Sequence, residues 1–315
     1  MLRLIARRLA HGALTLAFVA VAIFFVTAIL PGDAAMAVLG QDATTESLAI
    51  VRERLGLDQP LLLRFAVWAR DVASGNLGVS FGTALPVAPI LLDRLWNSLR
   101  LAGLATAISF PTGFLLGMLS ATRPGSMADR GVGALALGIV SIPEFFVGLI
   151  LAFLFAVKLG LFPAISFVRP DQAASAFLRA SFLPALTLAL SVTPHLVRMT
   201  RAAVVSGLTA AYVETAILKG LSRHRIIWRH VLPNVIGPLT SIGALALAYF
   251  VAGAVVVETV FAFPGIGRLL VDAVAAKDTP VIQACALLLA CVYVIINMAA
   301  DILGLLANPR LRDQQ

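Results

Sequence analysis

Apolar and polar positions fall in long blocks along this chain rather than alternating turn by turn. Uncharged runs cover residues 9–32, 101–122, 180–197, 235–257 and 279–300, and a sixth, 132–157, is interrupted only by Glu144. A helix needs about 20 mostly apolar residues to cross a bilayer, so the pattern predicts six membrane-spanning helices. The run at 180–197 is the weakest of them, being the shortest and containing Pro184, Pro194 and His195.

Two polar segments between the runs have patterns of their own. In the first, residues 33–100, "LAIVRERLGL" and "PLLLRFAVWARDV" carry helical spacing, with turns expected at Gly75, Gly78, Pro86 and Pro89. This reads as an ordered subdomain rather than a tether. The second is "YVETAILKGLSRHRIIWRHVLPN" at 212–234, which holds Lys219, Arg223, Arg225 and Arg229 against the single acid Glu214. Val204, Leu208, Ala211, Tyr212, Thr215 and Ala216 keep helical spacing up to Lys219. Gly220 then suits a left-handed helix end. Ser222 is placed to cap a second short helix, with Ile226, Ile227 and Val231 as its apolar stripe opposite Arg225 and Arg229. Pro233 is expected to end that helix. The predicted object is a pair of short helices joined by a glycine corner and fixed at both ends to spans.

Composition agrees with a membrane setting: 60% of residues are hydrophobic and 13% charged, against about 25% charged in soluble domains. The net charge of +8 would suit nucleic acid in another chain, but here the basic residues flank apolar runs. With the N-terminus in the cytoplasm, residues 1–8, 123–131, 198–234 and 301–315 would carry 13 of the 24 Lys and Arg, and the short loops favour this orientation with the C-terminus also inside. The segment 33–100 then lies outside the cell membrane. An anchor with its subdomain (1–98), a five-helix core (99–306) and a tail (307–315) are the expected divisions. The first run resembles a secretory signal with "AAMA" at 34–37 as its cleavage site. Its apolar core, about 22 residues, exceeds a signal's 7 to 15, so it is read as a retained anchor.

Chemistry-bearing residues are sparse. None of the lysines Lys158, Lys219 and Lys277 sits in a phosphate-cradling G-x-x-x-x-G-K-[ST] loop, so this chain is not expected to hydrolyse ATP. Cys285 and Cys291 read as core residues, and His11, His224 and His230 form no metal constellation with a carboxylate or thiol. An intramembrane carboxylate is costly, so Glu144 should face the bundle interior or a water-filled path, or be protonated; it is read as lining a translocation path, holding the helix break that Pro143 introduces, or bonding a neighbouring helix. His195 reads as a satisfied interfacial residue. Glu258, Phe261, Phe263, Pro264 and Gly265, with Gly267, form a glycine- and proline-rich corner after the fifth run, readable as an outer gate or as an interfacial aromatic anchor. Gly113 and Gly117 have the spacing of close helix packing.

The basic island resembles the "EAA" loop of ABC-importer permeases, whose pattern is E-A-A, then glycine, then I-x-L-P. Here it stands as Glu214-Thr215-Ala216, Gly220 and Val231-Leu232-Pro233. The phrases "RLIARRLAHGALTLAFVAVAIFFVTAILPGD", "RLGLDQPLLLRFAVW", "GNLGVSF", "IPEFFVGLILAFLFAVKLGLFP", "LPALTLAL", "VVVETVFAFPGIGRLLVDAV" and "NPRLR" extend the likeness over nearly the whole chain. They are similar to the first permease of dipeptide, oligopeptide and nickel importers. Ile217, Asn76 and Asn308 stand where that family has Arg, Asp and Asp.

The resemblance implies an all-α integral membrane protein with six transmembrane helices in the type I ABC importer permease fold and a helical extracytoplasmic subdomain between the first two. It implies an inner-membrane subunit that is not an enzyme and binds no cofactor or metal, ATP and Mg being used by partners. Those partners would be a second related permease, two cytoplasmic ATPases, an extracytoplasmic binding protein and membrane lipid, with no nucleic acid. Tyr212, Glu214, Thr215, Ala216, Lys219, Gly220, Leu221 and Pro233 are the expected ATPase-coupling residues, and Glu144, Glu258, Phe261, Phe263, Pro264 and Gly265 the expected path or gate. Peptides lead as cargo, followed by nickel or a metal chelate and then glutathione-like compounds. A stand-alone secondary transporter and a membrane scaffold are the rival classes.

Overall fold

The computed structural model describes residues 2–29, 44–54, 56–169 and 172–307, with Met36 and Leu39. The closing motif at 308–312 with Asn308, and most of the stretch around 34–37, lie outside them. Among the described residues all regular structure is helical apart from one antiparallel bridge, Val79 to Pro86. The elements are α1 (Leu2–Ile29), α2 (Thr45–Arg54), α3 (Leu61–Ala73), α4 (Val87–Thr122), α5 (Met127–Val140), α6 (Glu144–Leu151), α7 (Ala174–Leu208), α8 (Ala211–Leu218), α9 (Arg223–Ile226), α10 (Leu232–Val260), α11 (Ile266–Ala276) and α12 (Thr279–Ala307). A wider π-turn continues α6 over Ala152–Lys158, and another joins α9 to α10 over Ile227–Val231.

Four helices, α1, α4, α7 and α12, are long and apolar enough to cross a membrane. A fifth crossing arises if α5 and α6 with its π-turn count as one, although they meet at 99°. The apolar run at 132–157 is therefore two helices meeting at a sharp bend rather than one straight helix. Pro143 causes the break: it sits just before α6 with ψ 139°, has no N–H to give a preceding turn, and disfavours helix at Ile142.

The run that looked weakest in the sequence belongs to the helix most enclosed by its neighbours. α7 extends for 35 residues with Pro184 and Pro194 inside it. Pro184 cannot bond the carbonyl of Ala180, and the Ser166 hydroxyl donates to that carbonyl instead at 2.7 Å, so the helix continues. Gly113 and Gly117 of α4 let the two helices approach closely. A methyl group at Gly117 would lie 2.6 Å from Thr200 Cβ and 2.9 Å from the Val197 carbonyl.

α4 begins at Val87, well before the uncharged run, so the last part of the expected outer segment is helical and continuous with a span. Pro89 falls in its first turn, where no backbone N–H is needed. The remainder of the described subdomain is fastened to the bundle. Phe65 packs its ring 5.3 Å from that of Phe24 on α1, with Trp68 at 5.4 Å. Asp278, buried just ahead of α12, accepts from the Ser80 hydroxyl at 2.6 Å and from the N–H groups of Phe81 and Gly82 at 3.1 and 3.2 Å.

The bundle has two distinct ends. At one, α4 finishes, α7 and α8 meet, and α10 begins. At the other, Ser98 of α4 meets Glu258 near the end of α10. α1 and α12 are antiparallel, with Gln283 donating to the Thr27 hydroxyl at 2.8 Å. Outward-facing Leu14, Phe18, Leu115, Leu135 and Phe153 are exposed, giving the bundle an apolar exterior suited to lipid.

Candidate functional site

The basic island folds as a compact knuckle. Gly220 has φ +72°, its N–H reaches the Ile217 carbonyl at 2.8 Å, and the Leu221 N–H reaches the Ala216 carbonyl at 3.2 Å. These two bonds complete the left-handed helix stop that the glycine allows. Ser222 occupies the capping position of α9, but its side chain makes no capping bond. Pro233 does not end the second helix as its type suggested. It stands at the start of α10, and the π-turn ahead of it widens the backbone where a proline ring would otherwise press on the preceding turn. From Arg223 to Val260 the chain runs on without a break.

The knuckle is stiff because its inner face is packed and its ends are tied. Val213 and Ala216 of α8 join Ile226, Ile227 and Val231 in one buried cluster with Met118 and Ala121 of α4 and Val204 of α7. Arg223 donates to the Thr122 carbonyl at 2.5 Å, which fixes the island to the end of α4. Gly207 leaves room for the knuckle, since a methyl group there would come within 2.7 Å of Val231 Cγ1.

A second tie was not foreseen. Asp129, in the first turn of α5 and just ahead of the apolar run at 132–157, takes a two-pronged bond from Arg201 at 2.7 and 2.8 Å. It also accepts from the Gly125 N–H at 2.8 Å and from the Ser120 hydroxyl. The guanidinium beside it, helped by that hydroxyl and amide, holds the Asp129 carboxyl well below the usual carboxylate range. The signal available in the sequence was Ser126 followed three residues later by an acid, a helix-start pattern, and the Ser126 hydroxyl does accept from the Asp129 N–H at 3.2 Å.

The outer face of the knuckle is left uncovered. Tyr212, Glu214, Thr215, Lys219 and Pro233 are exposed, while Ala216 is buried and Leu221 half-buried. Leu218 is 88% exposed at the tip, beside Ile217 at 60%, with Trp228 also exposed. Arg225, Arg229 and Lys219 are exposed on the same island, so apolar and basic side chains share this surface.

Glu144 lies within the bundle at the break between α5 and α6. It lines a cavity of about 440 Å³ with Phe145, Ser191, His195, Tyr249 and Gly253. The His195 ring stacks on Tyr249, centroids 5.5 Å apart. His195 therefore belongs to this cavity and not merely to a span end.

The corner after α10 has a defined internal logic. Glu258 is fully buried and accepts from the Ser98 hydroxyl at 2.5 Å and from the N–H groups of Gly267 and Arg268 at 2.8 and 3.1 Å. Ser98 in turn accepts from the Ile266 N–H at 2.9 Å. The carboxylate thus caps the first turn of α11. Gly265 is required because a methyl group there would collide with that carboxylate, and Gly267 because one would meet the Val255 backbone at 2.5 Å. Phe261 and Phe263 are fully buried in the central core, whereas Pro264 lines a cavity of about 420 Å³ with Arg94, Phe167 and Asp272. Among the described residues no group of three or more His, Cys, Asp or Glu could hold a metal ion.

Four long apolar helices, with a broken fifth pair and a packed surface knuckle, mark a multi-pass membrane protein. The profile described as binding-protein-dependent transport system inner membrane component matches residues 113–313, and the profile for the N-terminal part of such components matches residues 1–102. The chain belongs to this family: it is a permease of a binding-protein-dependent ABC importer, a non-catalytic, multi-pass component of the inner membrane. A Brucella abortus protein named as a peptide transport system permease is 36% identical over 312 residues, 99% of each chain. A Sinorhizobium fredii protein named as a peptide ABC transporter permease is 35% identical over 98% of each. The glutathione transport system permease GsiC of Escherichia coli is 34% identical over 99% of each. Among solved structures, a chain of the MetNI methionine ABC transporter in an inward-facing conformation aligns with TM-score 0.58 at 18% identity, covering 70% of this chain and 96% of that one.

Proposed function

We propose that this chain forms one side of a translocation path for peptides, paired with a second, related permease. Six crossings are assigned, with α10 as the one beyond the four long helices and the broken pair. N- and C-termini and the knuckle face the cytoplasm, and the α2–α3 subdomain faces outward. Cargo arrives on an extracytoplasmic binding protein. Two cytoplasmic ATPases, which use ATP and Mg, dock on the knuckle, and its stiffness passes their closure to α7 and α10 as a rigid-body tilt. The corner of Glu258, Phe261, Phe263, Pro264 and Gly265 acts as a preformed outer rim of the gate, and Glu144 lines the path.

The likeness along the full chain to relatives named for peptide and glutathione transport carries the cargo reading. Its test is a binding assay on the partner binding protein together with uptake by the reconstituted importer. Micromolar or tighter peptide binding with ATP-dependent peptide uptake is expected. Binding of nickel or a metal chelate with no peptide binding overturns it.

A further inference from the structure

The cavity at the α5–α6 break contains a carboxyl group that has no ion-pair partner among the described residues. Glu144 Oε1 is out of contact with solvent and has no hydrogen-bond partner, and among the described residues no ion pair to Glu144 is present. The Ser191 hydroxyl is in reach of the carboxyl group but donates to the Leu188 carbonyl at 2.9 Å. Gly253 on α10 lets the carboxylate come close: a methyl group there would stand 3.0 and 3.1 Å from its two oxygens. Three helices bring polar or aromatic groups to the same space: Glu144 from α6, Ser191 and His195 one turn apart on α7, and Tyr249 from α10. A buried polar atom without a partner is costly in any interior and more so among apolar spans.

We propose that this cavity is a station on the path that holds the primary ammonium group of the cargo. The ammonium group supplies the donors that Glu144 lacks, and the π-face of Tyr249, already flanked by His195, favours a cation beside it. The cavity volume of about 440 Å³ leaves room for more than a single side chain of a neighbouring subunit, which favours cargo over a fixed ion pair with the partner permease. A peptide's free amino terminus is the group of that chemistry each peptide carries, so the station rests on the peptide reading above and sharpens it. Glu144 is the one carboxyl group among the described residues of the cavity lining, so the hold is a single charge-assisted contact that release has to break.

The test uses the complete importer in proteoliposomes with its binding protein, comparing uptake of one labelled peptide with its des-amino analogue in wild type and Glu144→Gln. Loss of a charge-assisted bond predicts that the variant lowers uptake of the amino peptide about tenfold and leaves the analogue unchanged. Because both proteins are served by the same binding protein, its own preference cancels in the comparison. Equal loss for both cargoes, as a structural role or an ion pair to the partner permease would give, overturns the station, and so does no loss for either. Glu144→Asp is included to guard against misassembly: partial recovery of amino-peptide uptake is expected, and failure of both variants to assemble by size exclusion shows a structural group and overturns it. Wild-type importer that moves no peptide at all overturns the peptide reading itself, a separate result.

Discussion

Replacing Glu258 by alanine should damage the outer corner more than any comparable truncation nearby. The carboxylate is fully buried and serves three donors: the Ser98 hydroxyl at 2.5 Å, the Gly267 N–H at 2.8 Å and the Arg268 N–H at 3.1 Å. A buried donor left unmade costs about 1–3 kcal/mol. Three of them, with Arg268 partly open to water, come to about 4 kcal/mol, and the space left by the side chain adds about 1 kcal/mol. Glu258→Gln keeps the shape and most of the accepting capacity and should cost about 1 kcal/mol. In a chain longer than about 250 residues about 1 kcal/mol shifts the midpoint by about 2 °C, so alanine should lower it by about 10 °C and glutamine by about 2 °C. The assay is thermal unfolding of the purified permease in detergent, followed by the fraction that stays monodisperse. An alanine variant that melts within about 3 °C of wild type, or a glutamine variant less stable than the alanine one, would refute the capping role.

The other predictions concern packing, the knuckle and its tie. Gly117→Ala forces a methyl group against the Val197 carbonyl and should cost about 2 kcal/mol. Gly131→Ala, where nothing lies within 4 Å, should be neutral or slightly stabilising; the same melting assay compares the two. Gly220→Pro demands a negative φ where the backbone has +72°, so the importer should assemble yet lose stimulated ATPase activity and uptake; normal values of both would count against the knuckle's role. The Asp129 carboxyl is held below its ordinary range, so its stabilising effect is present above the unfolded value near about 4 and is lost as pH falls through the lower folded value. Asp129→Asn should therefore lower the midpoint at pH 7, with the gap to wild type narrowing as pH drops below about 4. A gap that does not change with pH would show that the ion pair with Arg201 contributes nothing.

Local patterns in the sequence were enough to locate the corner at Gly220 and the inward stripe of Ile226, Ile227 and Val231, but the first helix was misjudged. The helix breaks after Leu208, Ala211 is exposed with Tyr212 and Thr215, and Val213 with Ala216 forms the buried face. Pro233 misled, since a proline after a short helix usually stops it. Here the preceding π-turn depends on the packing of Ile227 and Val231 against α4 and α7, which no local rule sees. α7 was underestimated for a similar reason: what allows Pro184 inside it is the hydroxyl of Ser166, outside the helix. In the corner, the glycines and proline announced a tight turn, but its centre is a contact between Glu258 and Ser98 that joins two distant spans. His195 and Tyr249 are likewise far apart in sequence and meet only because α7 and α10 pack together.

The most direct test of the knuckle as the entry point for energy is a cysteine cross-link from its tip. In a background with Cys285 and Cys291 replaced by alanine, Leu218→Cys would be labelled in the assembled importer with a maleimide–benzophenone reagent, whose benzophenone inserts on illumination into C–H bonds of whatever chain it touches. The expected result is a covalent permease–ATPase product whose yield changes when ATP is added, because Leu218 is 88% exposed on the face assigned to docking. No product with the ATPase, while Leu178→Cys at the start of α7 gives one, would contradict it.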